Sequence, residues 1–204
     1  MLKFIFFDLI HSYSEDANLR LELWAEIESN YSNPKRHYHT LSHLESIINQ
    51  LKPYKEVVSD WDSILFAVFY HDIVYNSLSG DNEEKSAKFA ETRLQKLQID
   101  PEKTQHIIRM ILATKSHVVN TDFDTNLFID ADLSILGLPW IDYSQYAKQI
   151  RKEYSIYPDL IYNPGRKKVL HHFLNMKNIF KTPEFSEKYE QFARKNMQRE
   201  LREL

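Results

Sequence analysis

The sequence predicts a single domain built entirely from α-helices. Glycine occurs at only three of the 204 positions and proline at seven, so few residues interrupt regular structure. Almost no segment alternates apolar and polar residues with the period of two that a half-buried strand requires. The intervals between interruptions instead suit helices of about 10 to 20 residues. The predicted helices run over 15–31, 38–52, 59–75, 82–98, 102–115, 125–136, 140–157, 166–180 and 184–202.

The composition fits one packed domain that spans residues 1–204. Hydrophobic residues make up 43% of the chain and aromatic residues 13%, which is enough to fill a core of this size. The formal net charge of -3 gives no positive excess, so there is no strong nucleic-acid signal. The chain has no cysteines and no glycine-rich phosphate loop, so other side chains must hold any metal or phosphate.

The opening segment, Met1 to Ile10, is apolar but contains Lys3 and Asp8. Its hydrophobic run is too short to span a bilayer, and it lacks a small-residue cleavage site. We interpret it as a first helix or strand that packs on the core. We therefore expect a cytoplasmic protein without membrane contact, and a homo-oligomer remains open.

The predicted helix 38–52 carries two histidines beside its apolar face. That face consists of Leu44, Ile47, Ile48 and Leu51. His43 lies four residues before Ile47, and His39 lies four residues before His43. This spacing places two imidazoles on one side of a helix, as in known metal sites. His43 is the stronger candidate ligand, whereas His39 is either a ligand, a partner of a ligand or a surface residue at the helix start.

The predicted helix 59–75 continues its apolar stripe into two ionisable residues. The stripe consists of Trp61, Ile64, Leu65 and Val68. His71 and Asp72 occupy the next two inward-facing places, and helix neighbours are about 100° apart, so both can reach one ion. A buried aspartate needs a partner, a proton or a cation. The alternative is that this His-Asp pair is satisfied within the core or lies at the surface.

The predicted helix 82–98 begins with acidic residues. Asp81 and Glu84 have the spacing of a capping box, which gives Glu84 a structural explanation. Glu83 lies four residues before Ala87 and seven before Ala90, on the buried stripe at the start of the helix. Because a carboxylate there requires a partner, Glu83 is a candidate functional residue.

The predicted helix 125–136 is apolar nearly all round, except for Asp130 and Asp132. Asp132 lies four residues after Phe128 and four before Leu136, so it should face inward with them. Asp130 is less enclosed, about 200° away around the helix axis. Two carboxylates in so apolar a helix indicate a cation. The alternative is that one caps a neighbour and the other forms an ion pair.

The order His43, His71-Asp72, Asp132 resembles the HD superfamily of metal-dependent phosphohydrolases, and within it a group of predicted phosphohydrolases of similar length. The resemblance covers residues 36–154, through the segments RHYHTLSHLESII, FAVFYHDIVYN, DNEEKSA, ILATKSH, LFIDADLSILG and IRKEY. It implies an HD-type helical bundle in which His43, His71, Asp72 and Asp132 bind one divalent ion. A second ion would need further histidines, and only His117, at the end of the predicted helix 102–115, is available. A helix cap is the other interpretation of His117.

The resemblance also implies an activity, the hydrolysis of a phosphate ester. A nucleotide is the first substrate that it suggests. Manganese, iron, nickel, cobalt and magnesium all suit imidazole and carboxylate ligands. Such an ion would polarise a phosphoryl oxygen and lower the pKa of a bound water. Asp72 is expected to orient that water, and Glu83 to act as general base or to support a ligand.

Three cationic residues are candidates for binding substrate phosphate, because its oxygens require fixed positive charge. They are Arg36, Lys115 and Arg151. A surface ion pair with Glu153 or another acid is the alternative for Arg151. Two other functions stay open for the whole chain, a non-catalytic sensor that binds a metal or nucleotide, and a helical interaction protein whose His and Asp residues only satisfy one another.

Overall fold

Ten α-helices follow one another in the computed structural model, which describes residues 1–204 and contains no strand. The predicted all-α fold class is confirmed, and the opening segment is a helix. The helices are α1 Leu2–His11, α2 Ala17–Tyr31, α3 Leu41–Leu51, α4 Trp61–Tyr70, α5 Asn82–Lys96, α6 Pro101–Ala113, α7 Phe123–Leu133, α8 Trp140–Glu153, α9 Asp159–Asn175 and α10 Pro183–Glu203. Short 3-10 turns, Lys52–Tyr54 and Ser134–Gly137, follow α3 and α7. No helix has the length and apolar composition needed to cross a membrane.

Aspartate side chains cap the start of four helices. Asp16, Asp60, Asp100 and Asp122 each accept a backbone N–H from the first turn of α2, α4, α6 and α7 respectively. Such a cap contributes about 1 kcal/mol, and a negative charge also interacts favourably with the helix dipole at this end. The starts of these helices are therefore determined by local sequence.

The predicted capping box of α5 is wrong. Asp81 precedes the helix, but its side chain accepts no backbone N–H of the first turn. It is bound instead by the Ser79 hydroxyl and by Lys85, whose Nζ lies 2.8 Å from Oδ1. Glu84 pairs with Lys115 of the segment after α6. Both carboxylates therefore form ion pairs with lysines and do not cap the backbone of α5.

Helix α4 ends at Tyr70, five residues before the predicted boundary. His71 keeps helical backbone angles, and its N–H still bonds the Ala67 carbonyl. The N–H of Ile73 bonds the Tyr70 carbonyl, which tightens the chain into a turn. His71 is therefore the C-cap of α4, one residue past the end of the helix, and Asp72 lies in the turn that follows.

Helix α9 begins earlier than predicted and runs through Pro164. The sequence indicated a break at Asn163-Pro164-Gly165, but the helix spans Asp159–Asn175. Pro164 lies in the second turn, so its missing N–H costs a single helical hydrogen bond, to the carbonyl of Leu160. The helix stops at Asn175 because Met176 adopts an extended conformation.

Helix α4 lies at the centre of the bundle, where every residue from Ser63 to Tyr70 is buried. It packs against α3, α5, α6 and α7, and α3 packs against α7 as well. Each pair among α3, α4 and α7 is therefore in contact. This arrangement brings the histidine of α3, the His-Asp pair after α4 and the aspartates of α7 to one place in the fold.

Helix α10 covers the end of α7 through a close contact at Gly137. A Cβ added to Gly137 would lie within 2.9 Å of three atoms of Tyr189, two of them backbone. Only glycine fits there without a backbone shift. Asn196 of α10 also donates to the carbonyls of Leu136 and Leu138. The turn after α7 is thus held in place by α10.

Candidate metal centre

Four side chains from three helical regions converge at the contact of α3, α4 and α7. His43 comes from the first turn of α3, His71 and Asp72 follow α4, and Asp132 lies near the end of α7. The imidazoles of His43 and His71 are buried, whereas Asp132 is partly exposed. One ligand atom each from His43, His71 and Asp132 lies within 4.8 Å of the others, a spacing that a metal ion can bridge. We call these four residues the His-Asp cluster.

Each histidine of the His-Asp cluster lies close to one of the two aspartates. The Nε2 of His43 lies 3.1 Å from Oδ1 of Asp132, and the Nε2 of His71 lies 3.1 Å from Oδ2 of Asp72. The two Nε2 atoms are 3.3 Å apart. The crossed distances, His43 to Asp72 and His71 to Asp132, are 3.9 and 3.8 Å. The donor atoms of His43, His71 and Asp132 therefore surround a common centre, and Asp72 lies beside this triad, next to His71.

The backbone selects which nitrogen of His71 faces this centre. Its Nδ1 lies 2.9 Å from the carbonyl oxygen of Val68, which can only accept a hydrogen bond. Nδ1 must therefore carry a proton, and in the neutral ring Nε2 has a free lone pair. A histidine held in this way is the usual form of a metal ligand.

The charges of the His-Asp cluster fit a divalent cation. Burial alone would raise the pKa of Asp72 and of Asp132, but neighbouring histidines hold both well below their usual range. Burial opposes protonation of His71, yet Asp72 and Asp132 raise its pKa to about 9, while burial lowers the pKa of His43. In the absence of an ion, a proton on His71 thus partly balances the negative charges of Asp72 and Asp132. A divalent cation can replace that proton and balance both negative charges.

Glu153, at the end of α8, supports the cluster, although the sequence suggested it only as a possible surface partner of Arg151. Its Oε1 accepts the backbone N–H groups of His37, Tyr38 and His39, and its Oε2 lies 2.7 Å from Nδ1 of His39. Burial alone would raise the pKa of Glu153, but His39 lowers it to about 2. The available signal was its position three residues after Ile150, on a buried stripe.

His39 therefore lies beside the cluster and is oriented by Glu153. With Nδ1 directed at the Glu153 carboxylate, Nε2 faces Asp72 and lies 3.8 Å from its Oδ2. The ring also stacks on Tyr75, with centroids 4.1 Å apart. The structure places His39 next to one residue of the cluster and outside the triad of closely spaced ligand atoms.

His117 lies four residues after the end of α6 and approaches the cluster. Its N–H bonds the carbonyl of Ala113, and its φ of 52° lies in the left-handed region that non-glycine residues seldom adopt. Its Nε2 lies 3.4 Å from Oδ2 of Asp132. The ring meets Phe173 of α9 edge to face. The ring of His117 therefore faces Asp132 and not the carbonyls at the end of α6, and His117 lies outside the triad of closely spaced ligand atoms.

Asp130 faces away from the cluster and holds the start of α10. Its carboxylate accepts the backbone N–H groups of Lys181 and Thr182 and the hydroxyl of Thr182, at 2.7 to 2.9 Å. The side chain is fully buried, whereas Asp132 is partly exposed, so the prediction that Asp130 is the less enclosed of the two is wrong. The two aspartates of α7 therefore have separate surroundings, with Asp132 in the cluster and Asp130 in a backbone contact.

Arg36, predicted to bind substrate phosphate, is buried behind the cluster instead. Its guanidinium donates to the carbonyls of His39, Asp72 and Ile73 at 2.7 to 3.2 Å. It also lies over the ring of Tyr31. Both terminal nitrogens of the guanidinium therefore donate to backbone carbonyls, which require hydrogen bonds in the interior. Arg36 fixes the backbone of the turn that carries Asp72.

The other two predicted phosphate ligands are also engaged elsewhere. Lys115 donates to the Gly80 carbonyl and pairs with Glu84. Arg151 pairs with Asp159 at 2.7 Å, so the predicted surface ion pair exists, although with a different acid from Glu153. Neither residue contacts the His-Asp cluster. The carboxylate partner of Lys115 is Glu84, and that of Arg151 is Asp159.

Glu83, predicted to be a general base, is half-buried at the start of α5. Its Oε2 lies 4.0 Å from Nζ of Lys115. No hydrogen bond or ion pair joins it to the His-Asp cluster. The structure therefore supplies Glu83 with a distant cationic partner and no contact with a metal ligand.

Comparison of the chain with protein-family models, curated proteins and solved structures gives no match. The assignment therefore rests on the sequence and on the geometry of the cluster. These describe an all-α protein with a histidine and aspartate group that could bind a metal ion.

Proposed function

We propose that this protein is a metal-dependent phosphohydrolase of the HD type, which uses activated water to hydrolyse a phosphate ester. The observation that carries the proposal is the convergence of His43, His71 and Asp132 on one centre, with Asp72 at the same place. It agrees with the ligand set that the resemblance to HD phosphohydrolases implies. Nucleotides are the first substrates to test, because the same resemblance suggests them.

The donor atoms define which ions the site would hold. Two imidazole nitrogens and two carboxylate oxygens suit manganese, iron, cobalt or nickel, and magnesium if further oxygen ligands are supplied. When bound, such an ion would polarise the phosphoryl group and make water a stronger nucleophile.

The residues of the chain perform the remaining tasks in this proposal. Arg36 and Glu153 fix the backbone on either side of the cluster, so that Asp72 and His39 keep their positions. Asp72 accepts hydrogen bonds and orients the attacking water. His39, whose Nε2 faces Asp72, is placed to exchange a proton with groups bound there. Glu83 remains a prediction for the general base.

A metal sensor without catalytic activity is the second candidate. It is favoured by the lack of any contact between Glu83 and the His-Asp cluster, which leaves the predicted general base without a partner at the site. A sensor would bind the ion through the same four residues. It would not release phosphate.

Two measurements separate these functions. Metal analysis of protein purified without a histidine tag, compared with the His71→Ala variant, tests for a bound ion. Phosphate release is then measured with mono-, di-, tri- and cyclic nucleotides and with p-nitrophenyl phosphate, with manganese, nickel, cobalt or magnesium added. Release that is lost in His71→Ala supports the enzyme. Bound metal without release supports the sensor, and absence of metal under every condition contradicts both.

A further inference from the structure

A cavity of about 550 Å³ adjoins the His-Asp cluster between α3 and α8. His43 and Asp132 belong to its lining, so a molecule bound there would touch the proposed metal centre. Its apolar lining consists of Tyr38, Ile47, Ala131, Ile135 and Leu138. The other lining residues are polar, and most of them lie on one side of α3 or of α8.

Two stripes of uncharged polar residues face this cavity. The stripe on α3 consists of Ser42, Ser46 and Asn49, at intervals of four and three residues. The stripe on α8 consists of Gln145 and Gln149, four residues apart. The helical period explains why each set lies on one side of its helix. Hydroxyl and carboxamide groups from two helices are therefore presented to the same space.

Several of these groups have unused hydrogen-bonding capacity. The side chains of Gln145 and Gln149 make no hydrogen bond within the protein. Gln50, at the edge, accepts hydrogen bonds from Tyr189 and Lys188, and Asn49 accepts one from Lys52. A carboxamide offers two N–H donors and an accepting oxygen. The cavity can therefore pair with hydroxyl groups, which also both donate and accept.

The cavity is also unsuited to additional negative charge. No lysine or arginine lines it, and two of its lining residues are the carboxylates Asp132 and Asp142. Asp142 forms no ion pair that would neutralise it. The three cations predicted to hold phosphate are engaged elsewhere. Apart from a metal ion at the cluster itself, a chain of phosphates entering this space would find no cation in the cavity wall and would meet Asp142. The two lysines close by, Lys52 and Lys188, already donate to the lining residues Asn49 and Gln50.

We propose that this cavity binds the neutral, hydroxyl-rich part of a phosphate monoester, such as a sugar, a polyol or the ribose of a nucleoside monophosphate. We expect nucleoside triphosphates to bind less tightly than these monoesters, because the cavity wall contains no lysine or arginine. The proposal rests on the proposed function for the position of the phosphate, at the His-Asp cluster. It narrows the substrate from phosphate esters in general to monoesters of neutral polyhydroxyl compounds.

The test measures binding separately from hydrolysis. Isothermal titration calorimetry with ribose 5-phosphate, adenosine 5′-monophosphate and ATP is performed on the full chain, with and without added manganese. At least one monoester should bind about tenfold or more tightly than ATP. The double variant Gln145→Ala/Gln149→Ala should lose about tenfold in affinity for that monoester, through the loss of hydrogen bonds that are each modest. Gln191→Ala, a glutamine of α10 outside the cavity, is the matched control.

Comparison of the two monoesters distinguishes a site for sugars from a site for nucleosides. Equal or tighter binding of ATP, or an unchanged affinity in the double variant, would overturn the proposal. A second variant, Gln149→Lys, adds a cation to the wall and should reduce the preference over ATP. Binding with these properties but without phosphate release would contradict the proposed hydrolase and leave the cavity assignment intact.

Discussion

The carboxylate of Glu153 accepts a hydrogen bond from Nδ1 of His39 over 2.7 Å, although 114 residues separate them along the chain. The same carboxylate binds three consecutive backbone N–H groups just before α3. One side chain of α8 thus sets both the start of the segment that carries His43 and the orientation of the ring beside Asp72.

Glu153→Gln should therefore weaken both the fold and metal binding. The amide has one accepting oxygen and no charge, so the charge-assisted bonds are lost, at a cost of about 2 kcal/mol in the free energy of unfolding. Metal affinity should fall about tenfold or more, as for other residues that orient ligands. Chemical denaturation and metal titration measure the two effects. Glu187→Gln, at an exposed position on α10, is the control, and equal affinity in both variants would contradict the role of Glu153.

His71→Ala and Asp132→Ala should each remove bound metal while leaving a helical protein. Ligands to one ion fail together, because the remaining donors can no longer complete its coordination. Elemental analysis gives the metal content, and circular dichroism gives the helix content. His171→Ala removes an exposed imidazole from α9 and should retain the metal. Full metal content in either cluster variant would show that the ion lies elsewhere.

Asp130→Asn and Asp132→Asn should have opposite effects. Asp130 serves backbone donors before α10, so its amide variant should lose about 1 to 3 kcal/mol of stability and still bind metal. Asp132→Asn should bind metal poorly and retain most of its stability. Thermal melts and metal titration on both variants provide the comparison. Loss of metal in Asp130→Asn alone would reverse the assignment of the two residues.

Glu83→Gln should keep the fold and the metal but slow phosphate release by about 10²-fold, the usual effect of removing an acid or base group. Glu84→Gln is a close control, because both carboxylates neighbour Lys115 and Glu84 is the more exposed. Steady-state hydrolysis of p-nitrophenyl phosphate measures the difference. Equal rates in the two variants would leave Glu83 with a structural role only.

Metal affinity should increase with pH because His71 is protonated in the metal-free protein. Burial opposes this proton, but Asp72 and Asp132 raise the pKa of His71 from 6.5 to about 9. An ion must displace that proton, so the apparent affinity should rise about tenfold per pH unit between about pH 7 and 9. Metal titration at several pH values tests this. A constant affinity across the range would show that His71 is already neutral.

The same proton should affect the stability of the metal-free protein. The pKa of His71 is higher in the folded chain than in the unfolded one, so its contribution is complete below pH 6.5. This contribution is lost as the pH rises through about 9. The Tm of the metal-free protein should fall over that interval, and His71→Ala should remove this part of the decrease. Thermal melts of both proteins measure it.

The sequence by itself determined the fold class and the inward direction of the key residues. Helical spacing directs His43 of α3 and Asp132 of α7 toward the core, because residues three and four apart share one side of a helix. The same spacing directs His71 inward from the C-cap of α4. The same reasoning separated Asp130 from Asp132. Four aspartate caps fixed helix starts through contacts within a few residues.

Only the tertiary structure decided which distant partners these residues have. Periodicity indicated that Glu153 could face inward, but not that it would bind the segment before α3. The sequence showed that Arg36 carries a positive charge. It could not show that the Arg36 guanidinium would donate to backbone carbonyls of the turn after α4. The physical reason is that helical spacing is a local property, whereas hydrogen-bond partners depend on how the helices pack. The three residues that could bind a metal ion, His43, His71 and Asp132, were therefore predictable from sequence, and the residues that hold them in place were not.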